Sequence, residues 1–358
     1  MNLCLVSEYS FRWKLGMNPF VAERCIPHPL VLASHALLPG WLWTLMMLMA
    51  DFIASELLEN LFPGVGRVIY LLNPFSGITF ASKSFSGFET ALYVLFLHCL
   101  AHKRFSRASI VLALASLLSL YPIVQLPVLL ASAHTFRKLP STLATFAVVL
   151  CVLFMASRAI AGGEFVSCTV GCHTRFLDLK PNIGLWWYLM TEMFDHFQSF
   201  FLATFQLNAF LHVIPLCIKF LPTNVSSFYR DDLIFTSFII QSLVNILKPY
   251  PTLSDLALFT SVGYALLPKL SSHAPHISNN LKILYTYGGS FLLLITPTVY
   301  SLWMVQGSGN ANFYFASICA VILLQMAGIV TAIKLKLEQK LLRANPGLDL
   351  QKCSQIKF

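Results

Sequence analysis

Charge is what this chain has least of. Only 11% of its 358 residues are Asp, Glu, Lys or Arg, where a soluble domain carries roughly a quarter. The shortage excludes a large soluble domain. It also removes the nucleic-acid reading of the formal charge of +9, because the cations sit in short gaps between apolar runs instead of on a soluble face. Motifs of chemistry are missing too. There is no HExxH, no glycine-rich phosphate loop, and no Ser/His/Asp or Cys/His constellation, so no catalytic residue, metal or cofactor is assigned. The first 28 residues contain Glu8, Arg12, Lys14, Glu23 and Arg24 and no continuous apolar core, which leaves no cleavable signal peptide and assigns targeting to a later helix. Lipidation boxes, repeats and low-complexity tracts are absent as well.

What remains is apolar. Hydrophobic residues make up 57% of the chain and the mean hydropathy is +0.71, with runs long enough for membrane helices. The fold class expected is all-α, a polytopic membrane helix bundle of about eleven segments. They lie near 29–58, 66–84, 87–101, 108–120, 122–133, 141–161, 184–218, 232–247, 254–268, 283–304 and 313–333. The pair meeting at "SLYPIVQLP" reads as one kinked helix or a re-entrant pair. Residues 1–28 form an N-terminal non-spanning segment, 29–333 the multispanning domain and 334–358 a basic cytosolic tail. Alternating the segments from a cytosolic tail puts 16 of the 24 Lys and Arg residues inside, the asymmetry that positive-inside topology demands. Lys138 and Lys219 fall on that side, as basic contacts for lipid headgroups. The region 162–182 and the gaps "KPYPTLSD" and "QGSGNAN" fall on the other.

Ionisable residues inside apolar runs are the candidate functional groups. Asp51 reads equally as a hydrogen-bonded structural acid or as part of a polar path. In "PNIGLWWYLMTEMFDHF" (Pro181 to Phe197), Glu192, Asp195 and His196 stand at i, i+3 and i+4, on one face of a continuous helix. Such a face grips a headgroup or partner, or lies among headgroups beside Trp186, Trp187 and Tyr188. No second His supports a metal there. Cys168 and Cys172, in "CTVGCH", permit a local disulfide in an oxidising compartment. The remaining cysteines are mostly embedded in apolar runs and behave as small hydrophobes. The sequon at Asn224 falls in a cytosolic gap. Asn310 or Asn312 in "GSGNANFYF" can cap the last helix, whose start then suits a phosphate or is only a cap.

Taken together these stretches resemble a known family. "DLKPNIGLWWYLMTEMFDHF" is similar to the signature of the PIG-U family, the multispanning subunit of the glycosylphosphatidylinositol (GPI) transamidase. "GMNPF", "YLLNPF", "SLYPIVQLPVLL", "IPLCIK", "KPYPTLSDLAL" and "GSGNANFYFA" follow the family in the same order. The resemblance implies an endoplasmic reticulum, multi-pass membrane protein with GT-C-like architecture. It implies partners too: other transamidase subunits, among them a caspase-like cysteine protease that carries the catalytic Cys and His, together with the GPI lipid and membrane phospholipids. This subunit is then non-catalytic and presents the lipid for attachment to the C-terminus of precursor proteins. Carried over by position, Asn182, Glu192, Asp195, His196, Phe197, Asn310 and Asn312 become lipid-binding candidates, while Asn73, Lys248 and Asp255 take structural roles. The family opens with a spanning helix before its first loop, and "MNLCLVSEYSFRWKLGMNPF" supplies none. The alternative is a GT-C mannosyltransferase using a dolichol-phosphate sugar. Such an enzyme needs an acidic pair in its first lumenal loop, where only Glu23 stands. A transporter would explain the embedded charges, but no repeat supports it.

Overall fold

The computed structural model describes residues 3–21, 26–175, 179–221, 230–273 and 275–345. All regular structure among them is helical. In chain order the helices are α1 (Leu3–Lys14), α2 (Pro29–Leu37), α3 (Gly40–Leu61), α4 (Gly66–Leu71), α5 (Pro74–Ala81), α6 (Ser86–Ala101), α7 (Phe105–Leu118), α8 (Leu126–Thr135) and α9 (Leu139–Ala161). They continue as α10 (Phe165–Arg175), α11 (Trp186–Glu192), α12 (Asp195–Leu211), α13 (Val213–Phe220), α14 (Arg230–Leu247), α15 (Leu253–Leu270), α16 (Pro275–Met304) and α17 (Ala311–Ala344). The chain divides into two units, Met1–Val262 and Gly263–Phe358.

Among the described residues five segments are long and apolar enough to cross a membrane: Gly40–Leu61, Leu139–Ala161, Asp195–Phe220, Asn279–Met304 and Ala311–Ala344. Helices α6 and α7 are apolar but shorter. The protein is therefore a helical membrane protein, in which backbone groups are satisfied within each helix. Several expected runs are interrupted. The run 29–58 breaks at Leu38 and Pro39 between α2 and α3, because a proline biases the residue before it away from the helical region. The run 66–84 divides at Asn73, whose side chain caps α5. At "SLYPIVQLP" Ser119 is extended, a 3-10 turn spans Tyr121–Gln125, and α8 follows it from Leu126.

In the first unit, α3, α6, α7 and α9 pack in series. Helix α14 is the centre: 14 of its 18 residues are buried, against α6, α8, α12, α13 and the Tyr121–Gln125 turn. A helix buried all round should be apolar all round. This one instead carries Asp232, Thr236, Ser237, Gln241, Ser242 and Asn245 among its buried residues, so its polar groups must find partners inside the protein. The N-terminal segment folds as well: Val6 and Tyr9 of α1 pack with Phe20, Val31, Leu32 and Phe165. In the second unit, α16 and α17 pair along their length. Tyr285 donates to the Leu324 carbonyl at 2.9 Å, and His273 meets Glu338 at 3.0 Å.

Candidate functional site

The stretch 181–197 is not one helix. Helix α11 ends at Glu192, Met193 and Phe194 are extended with ψ of 143° and 137°, and α12 starts at Asp195. The expectation that Glu192, Asp195 and His196 share one helical face is therefore corrected, since i, i+3 and i+4 are neighbours only while the backbone stays helical. Gln198 holds the break: its amide donates to the Met190 carbonyl of α11 at 3.2 Å and to Asp195 at 3.3 Å. Asp195 lies in the first turn of α12, where a carboxylate opposes the positive end of the helix. The His196 ring stacks on Phe194 at 6.0 Å and leans on Phe197 at 4.0 Å. Glu192, Asp195, His196 and Phe197 are all exposed. The break thus displays two carboxylates, an imidazole and two aromatic rings on the surface.

Asn182 works differently. Its side-chain oxygen accepts from Gly184 N–H at 2.7 Å, and its amide reaches the Pro249 carbonyl at 3.4 Å. A Cβ on Gly184 would come within 2.7 Å of Pro251, so only glycine lets the two segments approach. Trp186 completes the junction by donating its indole N–H to the Leu247 carbonyl at 2.8 Å. The "KPNIGLWW" stretch is thereby fastened to the "KPYPTLSD" turn.

That turn belongs to a buried polar knot. Lys248 and Asp255 form an ion pair at 2.7 Å with side chains only 7% and 16% exposed, and Asp255 also accepts from Thr252 N–H and hydroxyl at 2.7 and 2.9 Å. Asn73 accepts from Phe75 N–H and donates to Thr260, Ser261 and the Ala257 carbonyl of α15 at 2.7 to 3.2 Å. Thr90 of α6 bonds Ser254, which donates onward to the Ser86 carbonyl. Gln125 donates to the Ser237 carbonyl at 3.1 Å and to Gln241 at 3.2 Å, and accepts from the Ser237 hydroxyl at 2.8 Å. Gln241 passes the chain to Asn245 at 2.9 Å, and Tyr93 joins at Ser237. A small cavity runs between these groups, lined by Glu89, Tyr93, Gln125, Gln241, Lys248 and Asp255.

Sequence reasoning gave Asn73, Lys248 and Asp255 structural roles, and they hold elements together here. It missed Glu89, Gln125 and Gln241 as parts of one network. Each sits alone in an apolar run, and partners 112 and 116 residues apart leave no local signal. Asp51, the other embedded acid, accepts from Tyr70 at 2.9 Å.

The remaining sequence candidates are placed individually. Asn310 caps α17, accepting from Asn312 N–H at 3.0 Å. The turn before it is tight: Gly307 is left-handed with φ of 66°, and a Cβ on Gly309 would meet the Trp303 backbone nitrogen at 2.8 Å. Tyr314 packs on Tyr300 at 5.1 Å and on Trp303 at 6.1 Å, closing the α16–α17 hairpin. Lys138 and Lys219 are exposed, before α9 and in the last turn of α13. Cys172 is disulfide-bonded, whereas Cys168 keeps its thiol and donates to the Phe20 carbonyl at 3.1 Å. The bond therefore does not join these two cysteines. Glu23, Asn224 and tail residues 346–358 lie outside the described residues.

Comparison with known proteins identifies relatives of the chain. The model of the family "GPI transamidase subunit PIG-U" matches residues 2–321. The chain is 29% identical over 284 residues to the GPI-anchor transamidase component PIGU of Homo sapiens, covering 75% of this chain and 61% of that protein. It is 29% identical over 265 residues to the corresponding component of Mus musculus, covering 69% and 57%. To the GPI transamidase component GAB1 of Saccharomyces cerevisiae it is 28% identical over 267 residues, covering 74% and 64%. The aligned region thus spans about three fifths of the length of these relatives. With the family model matched across residues 2–321, the protein belongs to the family of the GPI transamidase subunit PIG-U.

Proposed function

We propose that this chain is a non-catalytic, multi-pass subunit of the GPI transamidase in the endoplasmic reticulum membrane, which presents the GPI lipid for attachment to the C-terminus of precursor proteins. The family match over residues 2–321 carries the reading. In this reading the bundle has about eleven membrane segments and GT-C-like architecture, with the shorter apolar helices filling the gaps between the five long ones. The catalytic Cys and His reside in a caspase-like partner subunit. The polar knot supports a scaffolding role, because Asn73, Gln125 and the Lys248–Asp255 pair are engaged with other elements of the chain.

The lipid-facing part of the proposal lies at the α11–α12 break and, in the second unit, at the start of α17. Glu192, Asp195 and His196 offer acceptors and a donor for a sugar or amine, and the Phe197 ring offers an apolar seat beside them. Asn182 holds this segment to the turn after α14. Asn310 and Asn312 offer carboxamides at a helix start, where a phosphate is favoured. Lys138 and Lys219 supply basic contacts to phospholipid headgroups.

The test is affinity purification of the chain from cells in mild detergent, followed by deletion of its gene. Co-isolation of a caspase-like protease, and accumulation of uncleaved precursors with GPI lipid made but unattached, supports the proposal. Normal surface display of GPI-anchored proteins after deletion overturns it.

A further inference from the structure

Among the described residues three non-glycine residues have left-handed backbones, and all three are cations: Lys83, Lys103 and Arg137, with φ of 49°, 58° and 56°. Each stands just past a helix end, at the position where glycine is usual because a side chain there is strained. The turns are complete Schellman motifs. Arg104 N–H returns to the Cys99 carbonyl and Lys103 N–H to Leu100; Lys138 N–H returns to Ala133 and Arg137 N–H to His134. A glycine would make these turns at lower cost, so the cations serve something besides the turn.

Two of the turns are brought together. The ring of Phe136, at the end of α8, lies 4.7 Å beneath the Lys103 ammonium and 5.5 Å from the buried Phe105 ring. The α6–α7 turn and the α8–α9 turn thereby form one surface on which Lys103, Arg104, Arg107, Arg137 and Lys138 are all exposed. No acidic residue occurs in the sequence between Glu89 and Glu164, so neither turn nor the helices joining them carry a carboxylate. Arg107 stands at the start of α7 and Lys138 at the start of α9, ends where a cation opposes the helix dipole. Lys103 and Arg137 instead stand past the C-termini of α6 and α8, where the dipole favours a cation, so helix-end electrostatics accounts for those two and not for Arg107 and Lys138. Helix α9, rising from this surface, is an apolar span with Leu143, Val148, Val152 and Met155 exposed, so the cations stand where a span leaves the bilayer.

We propose that these two turns form a binding surface for anionic phospholipid headgroups of the adjoining leaflet. Five exposed cations on two rigid turns complement a diester phosphate layer, and each juxtamembrane Lys or Arg contributes about fivefold in affinity. The proposal rests on the membrane reading alone and not on the transamidase assignment.

The test is native mass spectrometry of the purified full chain in detergent, titrated with phosphatidylserine or phosphatidylcholine. Phosphatidylserine is expected to bind more tightly, with the preference falling as salt is raised. Substituting Lys103→Gly together with Arg137→Gly should cut phosphatidylserine affinity by about twenty-five-fold while leaving thermal stability unchanged or raised, because the strained positions then carry glycine. A separate variant, Arg104→Gln with Arg107→Gln and Lys138→Gln, leaves both left-handed turns untouched and should lose the preference as well. Equal binding of the two lipids by the unmodified chain overturns the proposal. So does full phosphatidylserine preference in either variant.

Discussion

Breaking the Lys248–Asp255 pair tests the polar knot most directly. Removing one member of a buried ion pair leaves the other charge uncompensated, typically at a cost of about 3–5 kcal/mol. Here the two partners are not equivalent. Lys248→Met leaves Asp255 with the Thr252 N–H and hydroxyl as donors, so the loss falls at the lower end, about 3 kcal/mol. Asp255→Asn leaves the Lys248 ammonium deep in the protein and weakens a cap in the first turn of α15, which adds about 1 kcal/mol to a loss of about 3–4 kcal/mol. The double variant should lose less than the sum, with a coupling of about 2 kcal/mol for groups in contact. The assay is reversible unfolding of the reconstituted chain in a double-mutant cycle. A coupling under about 0.5 kcal/mol, the level expected of independent sites, refutes the idea that this pair organises the turn.

Four further outcomes are expected. Replacing Gly309 with Ala should open the α16–α17 turn, because its Cβ would stand 2.8 Å from the Trp303 backbone nitrogen; faster protease cleavage at residues 306–310 in the variant reports it. Glu192→Ala or His196→Ala should lower GPI attachment several-fold in cells without changing membrane insertion, and full attachment by both variants removes them from the lipid site. Asn310→Leu with Asn312→Leu should weaken GPI-lipid binding by a reconstituted complex, and an unchanged affinity excludes the cap as a contact. His28 is buried and its pKa is lowered to about 4 by burial, so the folded chain holds it neutral while the unfolded chain protonates it near its ordinary value of about 6.5. Its contribution is then present above pH 6.5 and is lost as pH falls toward 4, and His28→Gln should flatten that part of the stability–pH curve.

Much of the helix plan is legible in the sequence, because apolar runs between prolines, glycines and charge clusters mark where α9, α14, α16 and α17 lie. The break at Met193 and Phe194 is not, since neither residue is a helix breaker and the side chain that fixes it, Gln198, acts from the next helix. Left-handed backbones at Lys103 and Arg137 are hidden for a similar reason, as nothing in a Lys or Arg announces a position made for glycine. The candidate residues at 182–197 and 310–312 could be named from motif alone, but not their division of labour: Asn182 ties segments together, whereas Glu192 and His196 face outward. Glu89 illustrates the limit best. One acid in an apolar helix is silent until α14 and α15 bring Gln241 and Lys248 beside the same cavity.

The polar knot also fixes an order of events during synthesis. Asn73, Thr90 and Gln125 are made early, yet their partners lie at 237–261. Until α14 and α15 are made, Thr90 and Gln125 lack the partners that hold them in the folded chain, and Asn73 keeps only its local bond from Phe75 N–H. The knot therefore closes only once the segment 237–261 has been made, when more than half of the chain is already synthesised.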